Sequence, residues 1–99
     1  MLRIVKTSRA EKDLVKICED LGKLNLSAAI SFIDLLEDRI ASLAQFPLMG
    51  EICKQFGEGI RQFPVNSYVI FYRPNSEDIL VTRIMHGSRD LERAYWENS

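Results

Sequence analysis

Hydrophobic positions in the first half of the chain pass from a period of two to a helical period. Residues 2–6 alternate apolar with polar side chains, which predicts a short strand. Ser8 with Glu11 three positions later fits a capping box at the start of a helix, and Gly22 fits its end. The apolar positions of this first helix are Leu14, Ile17, Cys18 and Leu21.

A second amphipathic helix is predicted to begin near Asn25 or Ser27 and to end at Pro47. Its apolar stripe consists of Ala29, Phe32, Ile33, Leu36, Ile40 and Leu43. The link between the two helices is short, so we expect an antiparallel helical hairpin whose apolar stripes pack into a core.

The second half of the chain has the patterns of strands and turns. Residues 48–59 show no clean period and are predicted to form a loop. Three runs dense in aromatic and β-branched residues predict strands joined by short turns, which is typical of an antiparallel meander. The strands are residues 60–63, 68–73 and 79–85, the turns are residues 64–67 and 74–78, and a short helix is predicted over 89–97.

The order of these elements, β-α-α-β-β-β and a short carboxyl-terminal helix, predicts an α+β fold in one domain over residues 1–99. The helical hairpin is expected to cover one face of a small antiparallel sheet, because both apolar sets are then buried. A net charge of −1 argues against a general nucleic-acid binder but leaves room for a local basic patch. We find no apolar run of membrane-spanning or signal-peptide length, so we expect a cytoplasmic protein without a membrane partner.

The sequence offers few residues that could bind a metal or a cofactor. The chain contains two cysteines, Cys18 and Cys53, and one histidine, His86. The cysteines are far apart in sequence, and no phosphate-cradling glycine motif is present. We therefore expect neither a metal nor a cofactor.

Arginine is the only basic residue type from residue 59 to residue 89. The four positions are Arg61, Arg73, Arg83 and Arg89. The planar guanidinium suits phosphate, carboxylate and aromatic partners, so the set fits a surface for RNA, DNA or an acidic protein segment. Ordinary surface ion pairs are the alternative. Strand alternation is expected to place Arg83 on one face with Val81 and Met85.

His86 follows the last strand and admits two interpretations. A histidine beside arginines can act as a general acid or base, or it can hold a turn by bonding a backbone carbonyl. Nearby, Tyr68 is on a strand, Asp90 is a candidate cap of the last helix, and Trp96 lies close to the end of the chain. Exposed aromatic side chains beside arginines can stack on bases or dock a partner, although strand aromatics are more often part of a core.

Two stretches of sequence resemble a known family. Residues 61–74 read RQFPVNSYVIFYRP and residues 81–90 read VTRIMHGSRD, and the phrase FPLMG at residues 46–50 fits more loosely. They resemble the ParE family of the ParE/RelE toxin superfamily, in its plasmid-stabilisation branch. The resemblance implies a toxin encoded beside an antitoxin, acting on DNA gyrase and blocking replication.

The superfamily leaves two other functions open. RelE-type toxins share the fold but cut mRNA on the ribosome, and in that case Arg61, Arg83 and His86 would be the catalytic residues. The low net basicity and the His-Gly-x-Arg-Asp ending favour the ParE branch, in which the toxin binds its target without catalysis. An inactive family member is the third possibility.

The resemblance also implies a partner, a ParD-like or related cognate antitoxin. In this family the carboxyl segment of the antitoxin wraps the toxin as a helix and a strand over the groove between hairpin and sheet. The candidate contacts for target or antitoxin are Arg61, Tyr68, Arg73, Arg83, His86, Arg89 and Trp96.

Overall fold

A mixed five-stranded sheet with strand order β1-β5-β4-β3-β2 forms the centre of the structure, a computed structural model that describes residues 1–88 and 90–97. The strands are β1 (Arg3–Lys6), β2 (Glu51–Ile52), β3 (Arg61–Val65), β4 (Tyr68–Pro74) and β5 (Asp78–His86). The helices are α1 (Ser8–Gly22), α2 (Leu26–Gln45) and α3 (Leu91–Trp96), with a 3-10 turn at Lys54–Phe56. The predicted α+β fold is confirmed, with its helical hairpin, its meander and its short last helix.

The amino-terminal strand makes the sheet mixed rather than purely antiparallel. Strands β3, β4 and β5 form the expected antiparallel meander, whereas β1 pairs with β5 in parallel. Parallel neighbours need a long crossover connection, and here the chain between β1 and β5 supplies the whole hairpin and most of the sheet. The amino-terminal strand thereby closes one edge of the sheet along the first half of β5.

Helix α1 is capped one residue earlier than the sequence pattern predicts. Thr7, not Ser8, is the N-cap, and its hydroxyl accepts a hydrogen bond from the backbone N–H of Ala10 at 3.1 Å. The same hydroxyl donates to the carbonyl of Thr82 at 2.9 Å. The capping box expected at Ser8 is therefore wrong, because Thr7 is already fixed against β5 where β1 ends. Asn25 caps α2 as expected.

Residues 48–59, predicted as a loop, contain regular structure that is too short to leave a period in the sequence. Glu51 and Ile52 form β2, which pairs antiparallel with Gln62 and Arg61 of β3. This two-residue strand becomes the edge of the sheet farthest from β1.

Each face of the sheet carries its own apolar cluster. The larger cluster joins the hairpin to the sheet and contains Leu36, Ile40, Ile70 and Tyr72. The smaller cluster lies on the opposite face under α3, and its members include Phe56, Phe71, Met85 and Tyr95. Phe71 is fully buried, in agreement with its expected core position.

A β-bulge in β5 shifts the alternation of its side chains. Phe71 pairs with Arg83 and the next residue, Tyr72, pairs with Val81, so Thr82 is the extra residue. Val81 therefore belongs to the cluster on the hairpin side, whereas Met85 belongs to the cluster under α3. The prediction that Arg83 shares a face with both of them is wrong for Val81.

Candidate functional site

The candidate residues are distributed over several parts of the molecule. Arg83, His86 and Tyr68 lie together on a groove beside α1. Arg61 lies on β3 near the turn that follows α2, Arg73 is exposed on β4, and Trp96 is 57% exposed at the end of α3. Arg89 lies outside the described residues.

The groove forms where β1 ends and β5 continues. Strand β1 pairs with β5 only from Asp78 to Val81, and the second half of β5 runs on beside α1. The space between them has a volume of about 380 Å³. Its polar lining comes from Asp13, Lys16 and Asp20 on α1 and from Tyr68, Arg83, His86 and Ser88 on the sheet side.

Arg83 is buried and fully engaged with groups of the protein itself. Its Nε and Nη2 donate to the two carboxylate oxygens of Asp13 at 2.8 and 3.0 Å, and its Nη1 donates to the carbonyls of Ala94 and Tyr95 at 3.3 and 3.1 Å. Asp13 Oδ2 also accepts the backbone N–H of Ile84 at 2.9 Å. The guanidinium therefore links α1, β5 and α3, and a phosphate would have to displace these partners to bind it.

His86 is held at the exit of β5 by its neighbours. Its Nδ1 accepts the backbone N–H of Ser88 at 3.2 Å, and the Ser88 hydroxyl lies 2.6 Å from the same nitrogen. The Tyr68 ring packs edge-on against the imidazole at a centroid distance of 5.0 Å. An Nδ1 that accepts a backbone N–H carries no proton in the neutral ring, so the proton is on Nε2. His86 therefore bonds its own turn, but it does so by accepting a backbone N–H and not by bonding a carbonyl as expected.

Arg61 holds a different part of the chain. Its Nη1 donates to the carbonyls of Leu48 and Gly50 at 3.3 and 2.7 Å. Arg61 pairs directly with Tyr72, which faces the hairpin, whereas Arg83 pairs with Phe71, which faces the other way. Because directly paired residues share a face of the sheet, Arg61 and Arg83 start from opposite faces. The structure does not bring these two arginines together.

Tyr72 supports the same turn from inside. Its hydroxyl donates to the carbonyl of Pro47 and accepts the N–H of Gly50, both at 2.8 Å. Burial raises the pKa of the Tyr72 phenol, although the Gly50 hydrogen bond and the charge of Arg61 oppose the rise. The phenol therefore stays protonated and available as a donor.

Sequence reasoning missed two parts of this arrangement. Asp13 has no local signal, because an acidic residue in an amphipathic helix is normally a solvated one, and its partner lies 70 residues away. The turn after α2 carried one signal, since its FPLMG phrase is part of the family resemblance. The apolar side chains that this turn exposes are Phe46, Leu48, Met49 and Ile52.

Metal binding and membrane insertion are judged by the side chains and helices of residues 1–88 and 90–97. In that part of the chain no cluster of three or more His, Cys, Asp or Glu side chains is placed to hold a metal ion. Cys18 and Cys53 are free thiols, the first half-buried in α1 and the second buried near β2. No helix in the same residues combines the length and the apolar character that crossing a membrane requires.

Comparison with known proteins identifies the family of the chain. The model of the ParE toxin of type II toxin–antitoxin systems (parDE) matches residues 4–91. The chain is 28% identical to Toxin ParE3 of Caulobacter vibrioides over 92 residues, which is 92% of each protein. It also resembles a solved structure of the chromosomal ParDE toxin–antitoxin system from P. aeruginosa, with a TM-score of 0.74 and 18% identity over 87% of this chain and 96% of that one. Since the family model spans nearly the whole chain and the fold agrees with it, this protein belongs to the ParE toxins of type II toxin–antitoxin systems.

Proposed function

We propose that this chain inhibits DNA gyrase by binding it, without catalysis of its own, and that a cognate antitoxin neutralises it by packing along α1. The observation that carries the non-catalytic part is the placement of Arg61 and Arg83. They start from opposite faces of the sheet, and each is hydrogen-bonded to groups of the protein itself. Gyrase as the target rests on membership of the ParE family.

An RNA-cleaving site would need a different arrangement. Charge stabilisation at a phosphate requires cations that converge on one point beside an acid or base. In the groove beside α1, the charge of Arg83 is matched by Asp13 and that of Lys16 by Asp20, the latter at 3.3 Å. Bringing a polyanion into this groove would set its phosphates against two carboxylates. The electrostatics therefore support protein binding over RNA cleavage.

The antitoxin surface is supported by a second, apolar cleft on the other side of α1. This cleft has a volume of about 280 Å³ between the two helices of the hairpin and is lined mainly by Leu14, Val15, Cys18, Ile30 and Ile33. Val15 and Ile30 lie outside the apolar stripes of the two helices and are 59% and 52% exposed, so the cleft presents apolar surface to a partner. An amphipathic helix laid along α1 would bury them. Pairing of an antitoxin strand with β5 is less favoured, because the Ile84 N–H already donates to the Asp13 carboxylate.

The gyrase proposal is tested with purified protein in a supercoiling assay. We expect the wild-type chain to inhibit supercoiling, and the His86→Ala variant to inhibit it equally, because the His86 ring bonds Ser88 of its own turn. Absence of inhibition at saturating protein would remove gyrase as the target. Primer extension on translating mRNA tests the alternative. Cleavage that disappears in His86→Ala would establish the RelE-type activity instead.

The antitoxin proposal is tested with a ParD-like cognate antitoxin. We expect Val15→Ser combined with Ile30→Ser to weaken binding of that antitoxin at least tenfold in a titration. Leu24→Ser is the matched control, because Leu24 is 87% exposed outside the cleft. Equal affinity of the cleft variant and the control would show that the antitoxin binds elsewhere.

A further inference from the structure

We propose that the turn after α2 is a separate docking surface, and that it inserts into an uncharged apolar cleft on the protein target of the toxin. We name this surface the apolar ridge and define it by Phe46, Leu48, Met49 and Ile52. The identity of the target rests on the proposed function. The existence of the surface does not.

The apolar ridge concentrates exposed hydrophobic area in a short segment. Its four side chains are 60%, 70%, 46% and 51% exposed, in chain order. They are four of the ten large apolar side chains exposed in the described residues, yet they fall within seven positions. Beside them is an open depression of about 530 Å³, lined by Gln45, Phe46, Pro47, Leu48 and Met49. A concentration of exposed apolar side chains in so short a segment is a mark of an interaction site.

The ridge is also held in one shape by hydrogen bonds from Tyr72 and Arg61. The Tyr72 hydroxyl bonds both ends of the turn, at the Pro47 carbonyl and the Gly50 N–H. Arg61, which is paired with Tyr72 in the sheet, bonds the carbonyls of Leu48 and Gly50. A Cβ added at Gly50 would lie 2.5 Å from the Tyr72 hydroxyl, so glycine is required there. A turn fixed in this way needs little further ordering of its backbone when its apolar side chains bind a partner.

An added strand is a poor occupant for this edge of the sheet. Strand β2 has only two residues, and Cys53 directs its N–H inward to the Ile60 carbonyl. By the alternation of an antiparallel ladder, Ile52 is then the residue of β2 whose backbone faces outward. A single outward-facing residue can form almost no backbone hydrogen bonds with an added strand. The ridge must therefore bind through its side chains.

A second copy of the chain is also a poor occupant. A large side chain has a surface of roughly 200 Å², and about half of each ridge side chain is exposed. The four side chains together therefore expose on the order of 400 Å². Two ridges would then bury about 800 Å², below the roughly 1,200 Å² of a stable specific interface. The ridge therefore fits part of a larger contact with another protein.

The position of the ridge separates it from the proposed antitoxin surface. Arg61 of β3 and Tyr72 of β4 hold it, and it ends on β2, whereas the antitoxin cleft and groove are formed along α1. The depression beside the ridge has no charged lining residue. The part of the target that fills this depression is therefore apolar and uncharged.

The test compares Phe46→Ser/Leu48→Ser with the Leu24→Ser control, using purified DNA gyrase, growth arrest on expression without antitoxin, and antitoxin titration. We expect the ridge variant to need at least ten times more protein for half-inhibition of supercoiling and to lose growth arrest. Its thermal midpoint and antitoxin affinity should match those of the control. Unchanged potency overturns the proposal. So does loss of antitoxin binding, or a concentration-dependent dimer that the ridge variant abolishes.

The growth-arrest measurement tests the ridge whether or not gyrase is the target. If the wild-type chain arrests growth without inhibiting gyrase, the gyrase proposal fails, and the ridge is judged on growth arrest alone. Arrest lost in the ridge variant and kept in the control then supports the ridge. A wild-type chain that neither arrests growth nor inhibits gyrase overturns both the gyrase proposal and the ridge proposal.

Discussion

Arg83 and Asp13 lie 70 residues apart in the chain and meet in two hydrogen bonds of 2.8 and 3.0 Å. Both side chains are largely buried, with 8% and 15% of their surface exposed. The pair also binds the Ile84 N–H and the carbonyls of Ala94 and Tyr95. It is therefore the polar joint between the hairpin, the end of the sheet and the last helix.

Removing one partner of this joint should be strongly destabilising. For Arg83→Ala we expect the free energy of unfolding to fall by about 3–5 kcal/mol, because the Asp13 carboxylate is left buried without its counter-charge. Arg73→Ala is the matched control, since Arg73 is exposed on β4, and its effect should stay within about 0.5 kcal/mol. Urea unfolding measures both. Similar small losses in the two variants would show that the joint is not a stability element.

The parts of the fold that the sequence predicts are those encoded in local periods. The helical stripe of α2 and the dense apolar run of β4 each specify their element and its buried face within a few residues. Phe71 is buried as expected for the same reason. The short turns between strands then leave an antiparallel meander as the simplest connection.

The parts that the sequence does not predict depend on distant partners. The bulge at Thr82 moves Val81 to the hairpin side, and no residue type near it marks a bulge. The parallel pairing of β1 and the Asp13–Arg83 contact both join the first residues of the chain to the last strand. The candidate site was likewise only partly predictable, because Arg61 and Arg83 look equivalent in sequence and lie on opposite faces of the sheet.

The Tyr72 hydroxyl gives a second expectation. In Tyr72→Phe, the buried Gly50 N–H and the Pro47 carbonyl each lose a hydrogen bond, which should cost about 1–3 kcal/mol of unfolding free energy. Tyr68→Phe is the control, because Tyr68 keeps its ring contacts with Phe32 and His86, and a change within about 0.5 kcal/mol is expected. Thermal and urea unfolding give both values. A neutral Tyr72→Phe would mean that the turn after α2 does not depend on this hydroxyl.

The turn between β3 and β4 gives a third expectation. Asn66 has a φ of 54°, in the left-handed region where asparagine and glycine are favoured. Asn66→Val should destabilise the protein by about 1–2 kcal/mol, whereas Asn66→Gly should be close to neutral. Ser67→Val is the control at the adjacent exposed position, which lies outside the positive-φ region. Equal losses for valine at the two positions would contradict the conformational argument.

Alkaline pH should weaken the fold through two buried groups. Burial raises the pKa of the Cys53 thiol above its ordinary value of 9.0, and the negative charge of Glu51 adds to the rise. Burial likewise raises the pKa of the Tyr72 phenol above 10.0. The unfolded chain therefore loses these protons at a lower pH than the folded one. Above about pH 9 it binds fewer protons than the native state, so the free energy of unfolding falls as pH rises.

The measurement is urea unfolding at a series of pH values from about 7.5 to about 11. The contribution of the two groups is fully present below pH 9.0, the ordinary value for the thiol, and is lost as pH rises through the folded pKa values. The double variant Cys53→Ala/Tyr72→Phe lacks both the thiol and the phenol hydroxyl. Its free energy of unfolding should therefore decline less steeply with pH from its own value at neutral pH. All other side chains are the same in the two proteins, so the difference between the two slopes isolates these groups. Parallel declines in the two proteins would show that neither proton is linked to folding.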